Sequence, residues 1–285
     1  MVPHFVFCFL LNGIRFAVTL TKQNMKISKR SLGFRKAAFI SIVLNIAFNF
    51  VYPVTGVATV ADVTRNYPAL FTPASYAFII WAVIYIGFFI YGVVQLLRGQ
   101  RHFPIYDRLS VPVILIQLLL SAWIVFYTRN QIGTSVFILG LALFVSCYAF
   151  RKAYLAVQYR DYNLWLQFPF SLLAGWLTVA LAANVFIYMH YLGWSINMEE
   201  GTLSTMTIVG CGLIGFVVSR YTYSLLYPAV ISWGIIAVSV QTQHEHPSLS
   251  ATALTTSIIL LVLTLFTSVF RKIPARKEVS HHLDA

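Results

Sequence analysis

The chain has 285 residues, of which 59% are hydrophobic, 16% aromatic and 10% charged, whereas soluble domains carry roughly 45–50% apolar and about 25% charged residues. With a mean hydropathy of +0.78 there is more apolar surface than a core of this size can hide, so lipid must solvate much of it. That excludes an ordinary soluble domain and predicts an integral membrane protein, with the lipid bilayer as its first partner.

The formal net charge of +12 resides in short segments between apolar runs. This is a topology signal rather than a phosphate-binding stripe, and nucleic acid is not expected as a partner. Cys8, Cys147 and Cys211 lie far apart with no CxxC spacing, so neither a disulfide framework nor a zinc site is indicated.

A spanning helix needs about 20 mostly apolar residues. The first such stretch, His4 to Leu20, is broken by Asn12, Gly13 and Arg15; for residues 1–24 a ninth span, a signal-like extension and a start codon placed too early remain open. Eight cleaner runs follow at 37–58, 74–97, 110–128, 132–150, 166–190, 203–219, 222–241 and 251–270. The third and fourth are joined by so short a turn that they should pack as antiparallel neighbours, and Pro228 is expected to kink the seventh.

Cytoplasmic loops collect Lys and Arg. Of the 20 basic residues, all but Arg65 and Arg129 fall on one side of an eight-span arrangement, opposite Asp62, Glu199, Glu200 and Glu245. The fold class is therefore all-α: a polytopic transmembrane bundle of about eight spans with both termini cytoplasmic, residues 1–36 forming a basic leading segment and 271–285 a basic tail.

All eight carboxylates lie outside the apolar runs. Ion-coupled pumps keep ionisable groups at mid-membrane, and membrane-embedded hydrolases need a carboxylate pair, a metal cluster or a Ser/His dyad there. The reading is a protein that is not an enzyme, with no cofactor and no metal site. His244, Glu245 and His246 form a loop cluster that solvation explains better than metal binding.

The spans do contain amides, indoles and phenols. An unpaired amide is costly in hydrocarbon, so Asn45, Asn49, Gln95, Gln117 and Asn184 should face other helices or a cavity. Trp165 and Trp194 bracket the fifth run as interfacial anchors would. In that run Trp176, Ala180 and Asn184 recur every four residues and so share one helix face, while Ala174, Thr178 and Ala182 make a neighbouring small-residue row suited to close helix approach.

In the second run, Pro73 sits at the first turn, with Tyr76 and then Phe78, Trp81 and Tyr85 on adjoining faces. The third run carries Gln117, Ser121 and Trp123. Aromatic stripes at helical spacing are commonly core. Converging uncharged aromatics and amides would also form an amphipathic pocket for a large, flat, mostly apolar molecule.

These three segments resemble the tryptophan-rich sensory proteins, the TspO or translocator-protein (peripheral benzodiazepine receptor) family. The second run, FTPASYAFIIWAVIYIG, is similar to the family's proline, aromatic, Trp-x-x-x-Tyr signature. QLLLSAW resembles its Gln-Leu-x-Leu-Asn followed by Trp, and GWLTVALAANV its Trp-x-x-x-Ala-x-x-x-Asn. Ser121 stands where the family usually has Asn, Trp123 comes one residue early, and Leu172 replaces a proline.

The resemblance covers roughly residues 37–190, the family's five-helix unit. The three runs within 203–270 look like the extension of long bacterial relatives. It implies a sensory or regulatory protein that binds a tetrapyrrole such as protoporphyrin or haem, or a sterol-like molecule. The expected site is Tyr76, Phe78, Trp81, Tyr85, Gln117, Ser121, Trp123, Trp176, Ala180 and Asn184, with a homodimer as an expected assembly and a bacterial plasma membrane as the location.

A haem held by its iron would need His, Cys or Met at pocket depth, and of these helices only His190, at an end, offers a histidine, so binding through the ring is expected. The alternative function is facilitated transport of a small uncharged or amphipathic solute. That reading gains if the last three helices line a second polar cavity, and loses from the lack of a sequence repeat between the two halves.

Overall fold

The computed structural model describes residues 29–159, 162–193, 198–222 and 224–269. The readings of residues 1–24 and of the tail 271–285, and Trp194, lie outside them. The described residues form helices and turns, with no strand among them.

In chain order the α-helices are α1 (Lys29–Val51), α2 (Val60–Asn66), α3 (Ile80–Val94), α4 (Ile105–Thr128), α5 (Ile132–Tyr159), α6 (Phe168–Tyr191), α7 (Glu200–Thr222), α8 (Leu226–Thr242) and α9 (Pro247–Val269). Seven helical segments of 20 to 28 residues are long and apolar enough to cross a membrane, and α8 is a shorter apolar helix. The chain is a polytopic helical membrane bundle.

Three local features differ from the sequence expectation. The loop after the first run holds the short helix α2, started by a reciprocal cap in which the Thr59 hydroxyl accepts from the Asp62 N–H and the Asp62 carboxylate accepts from the Thr59 N–H. A Thr-x-x-Asp spacing is the sequence signal for such a cap.

The second run begins as a 3-10 turn over Ser75–Ile79 before α3 proper. Tyr76 and Phe78 therefore leave the helical register of Trp81 and Tyr85. Pro228 falls in the first turn of α8 rather than its middle. Its missing N–H would be unbonded there anyway, so it starts the helix instead of kinking it.

At 17 residues, α8 is about 25 Å long, short of a hydrocarbon core of about 30 Å. It is sheathed by protein: Tyr227, Val230, Ile231, Gly234, Ile235 and Val238 are buried against α6, α7 and α9.

The hub of the bundle is α6, whose apolar stretch is 72% buried. It packs on α5 and α3 on one side and on α8 on the other, while α1 packs on α4 and α3, and α4 and α5 lie side by side. At the α6–α8 seam, a Cβ on Gly175 would stand 2.8 Å from the Tyr227 carbonyl oxygen, and one on Gly234 would stand 2.8 Å from Val179 Cγ1. Thr178, from the expected small-residue row, lies 2.9 Å from the Tyr227 hydroxyl. The link before α3 joins this seam through Ala74 N–H to Ala237 O at 3.0 Å and Trp233 Nε1 to Ala77 O at 3.0 Å.

The opposite end of the bundle is tied by Arg35, which is 0% exposed. Its Nε donates to Asp107 at 2.5 Å, and its two terminal nitrogens donate to the carbonyls of Gln95, Gln100, Arg101 and Phe103. Ser31 donates to the same carboxylate, and the Tyr106 ring lies 5.5 Å from the guanidinium carbon. A buried charge is tolerable only when paired and saturated with hydrogen bonds in this way.

Gly175→Ala should force α6 from α8, because the obstacle is backbone. A loss of about 1–3 kcal/mol is expected from such overpacking. Gly140→Ala in α5, where nothing lies within 4 Å of the added Cβ, should be neutral or stabilise by about 0.5–1 kcal/mol. Thermal unfolding of both variants in detergent checks the contrast.

Candidate functional site

The aromatic residues picked out by the sequence converge between α3, α4 and α6. The Trp81 and Tyr85 rings stack with centroids 5.6 Å apart, and Trp176 meets Phe78 edge-on at 5.7 Å and Trp81 at 6.4 Å. Offset and edge-to-face geometries of this kind are the favourable ones for aromatic pairs. Trp123 Nε1 donates to Asn184 Oδ1 at 3.2 Å, and Asn184 Nδ2 donates to Ala180 O at 2.8 Å. The i, i+4 spacing on α6 thus sets the amide's geometry: Ala180 supplies the carbonyl that orients Asn184 toward the indole.

Trp176 is 2% exposed, and its Nε1 has no partner.

Three adjoining hollows share the walls Val60 and Phe78. The innermost, lined by Trp81, Trp123, Trp176, Ala180 and Asn184, measures only about 30 Å³, roughly one water's share of liquid volume. A side hollow of about 190 Å³ runs past Asn49, Trp81, Tyr85 and Trp123. The largest, a vestibule of about 640 Å³, lies under α2 and is walled by Tyr52, Thr64, Thr72, Ile124, Thr128 and Gln241 among others. Only this last is of the size that accommodates organic ligands.

Seven of the ten expected residues, Phe78, Trp81, Tyr85, Trp123, Trp176, Ala180 and Asn184, therefore line one or both of two adjoining hollows.

The other three sit elsewhere. Gln117 Oε1 accepts from Asn45 Nδ2 at 2.8 Å, and Ser121 Oγ donates to Asn45 Oδ1 at 2.7 Å. Both residues glue α4 to α1, the ordinary role of polar side chains between membrane helices. Tyr76 packs edge-on against Trp233 of α8 at 5.3 Å.

Sequence reasoning missed the vestibule, because its walls come from α2, the link to α3 and the end of α8, which carry no aromatic periodicity. The Thr59-x-x-Asp62 cap was the one legible signal there.

The vestibule roof is held at several points. Thr64 Oγ1 lies 2.8 Å from the Tyr127 hydroxyl, and Tyr52 lies 3.2 Å from Thr128 Oγ1. Glu200, the first residue of α7, accepts from the Leu70 N–H at 2.8 Å and lies 3.0 Å from His190 Nε2 at the end of α6. The Asp62 carboxyl is held down to about 2 by the hydroxyl and backbone N–H of Thr59, with Arg65 adding to both. Among the described residues no three His, Cys, Asp or Glu side chains gather as metal ligands would.

A bundle of apolar helices around an uncharged aromatic cleft defines a polytopic helical membrane protein. A family model described as TSPO-like protein matches residues 35–266, and the chain belongs to that family. The match runs through α7 and α8 and into α9, beyond the stretch that carries the sequence motifs. No curated protein and no solved structure matches the chain.

Asn45→Ala should cost about 1–3 kcal/mol by leaving Gln117 Oε1 and Ser121 Oγ without their partner on α1, as read by denaturation in detergent. A carboxyl whose folded pKa is depressed stabilises above its unfolded value and loses that contribution as pH falls through the folded one. The α2 cap should thus persist at pH 4 and fail only as pH nears 2, read as the Asp62 carboxyl ¹³C titration, and Arg65→Gln should raise that midpoint.

Proposed function

We propose that this protein is a ligand-binding membrane sensor rather than an enzyme. Its ligand is a flat, mostly apolar molecule such as a tetrapyrrole or a sterol-like compound, received in the vestibule and the adjoining cleft between α3, α4 and α6. The observation that carries the proposal is a 640 Å³ vestibule that shares the walls Thr72 and Phe78 with a hollow lined by three indoles, one of which, Trp176, keeps a buried N–H without a partner. Aromatic walls stack on flat rings, and a few polar atoms fix their orientation.

Family membership supports a sensor or transporter type of role. The residues named for the three hollows include no His, Cys or Met, and His190 is engaged with Glu200. These features favour contact through a porphyrin ring over ligation of a haem iron. The Lys and Arg asymmetry favours cytoplasmic termini, in a bacterial plasma membrane on the analogy with long relatives. The last three helices add Gln241 to the vestibule wall, which favours their serving the same site over a separate conduit.

The test is quenching of tryptophan fluorescence in the detergent-purified protein by protoporphyrin IX, on wild type and on Trp176→Phe combined with Asn184→Ala. Saturable quenching is expected in wild type, with affinity lowered about tenfold or more in the double variant. Absent saturation, or equal affinity in both proteins, overturns the proposal.

A further inference from the structure

The vestibule differs from the aromatic cleft in carrying Arg65 and Gln241, side chains able to donate hydrogen bonds and contributed by separate parts of the chain. Thr72, in the link to α3, lines both spaces, and its Oγ1 is buried without a partner. Hydroxyls such as those of Thr128, Thr178 and Thr242 are spent on a carbonyl one turn back; those of Tyr91, Ser146, Ser204, Ser232 and Thr264 are also buried without a partner, but none of these five lines the three hollows.

Gln241 lies one turn beyond Ala237, whose carbonyl accepts from the Ala74 N–H. That backbone bond sets the link carrying Thr72 beside the last turns of α8. Gln241 is exposed and lines the vestibule, whereas its neighbour Thr242 is buried and bonded within the helix. Arg65 lines the same space. One of its five N–H groups is taken by Asp62, whose charge offsets the guanidinium. The vestibule is thus rich in donors without a net charge.

We propose that Thr72 and Gln241, with Arg65 at the rim, recognise a hydrogen-bond-accepting edge of the ligand, a carboxylate or carbonyl group on an apolar body. By this reading α8 is a specificity element, supplying a polar side chain to a site otherwise built by the helices before it. The inference rests on the proposed binding of a flat apolar body at this site. Its physical basis is that donors left unpaired by a ligand lacking the acceptor discriminate against that ligand more strongly than apolar shape does.

Two porphyrins separate the contributions: protoporphyrin IX, which carries two carboxylates, and etioporphyrin, which has a comparable ring bearing alkyl groups only. Saturable tryptophan quenching is measured for both on wild type, Thr72→Val, Gln241→Ala and the double variant. Wild type should prefer protoporphyrin IX by about tenfold. The double variant should lose that preference while its affinity for etioporphyrin stays constant. Gln241→Ala, a change at an exposed position, should show part of the loss with an unaltered unfolding temperature, which guards against misfolding of the Thr72 variant.

Equal affinity of wild type for the two porphyrins overturns this inference and leaves the binding proposal standing. Variants that weaken both porphyrins alike overturn it too, since Thr72 and Gln241 would then act through the fold. Failure of protoporphyrin IX to saturate wild type removes both.

Discussion

In hydrocarbon, a polar atom without a partner has no water to fall back on, and this constraint arranges most of the bundle. Asn45 meets both Gln117 and Ser121, fastening α1 to α4. Asn184 meets Trp123, fastening α6 to α4. The Arg35 guanidinium is shared among a carboxylate and four carbonyls, which fastens the α3–α4 loop to α1. Each is worth little in net stability, yet each excludes alternative helix rotations that would strand its atoms. Among the buried polar atoms left without a partner, Trp176 Nε1 and Thr72 Oγ1 stand apart because their residues line the adjoining hollows.

The same helix face cannot both pack tightly and receive a ligand, and α6 divides the tasks around its circumference. Gly175 and Thr178 turn one flank to α8 at backbone contact distance. Trp176, Ala180 and Asn184 line the cleft. Because α8 is pressed against α6, and the link before α3 is bonded to α8 at two points, the last three helices are mechanically continuous with the cleft.

Much of this was legible in the sequence. Long apolar runs report spanning helices directly, because lipid demands about 20 residues each, and a four-residue repeat reports a shared face, as Trp176, Ala180 and Asn184 show. Periodicity, however, says which residues share a face and not what that face meets. Gln117 and Ser121 share a face with each other as a ligand site would require, and the face meets Asn45. Tyr76 left the register because the chain enters α3 through a 3-10 turn. Arg35 reads as one more cytoplasmic charge in sequence. Its burial depends on a loop some 60 to 70 residues away folding back to offer its carbonyls, which no local pattern encodes.

The unequal anchoring of α1 has a mechanical meaning. Near one end Arg35 is gripped by five acceptors, whereas just past the other end Tyr52 meets α4 through one hydroxyl pair with Thr128, beside the vestibule wall. Between the two, Asn45 holds the middle of α1 to Gln117 and Ser121, so the side-chain bonds that fix the helix thin out from the Arg35 end toward the vestibule wall.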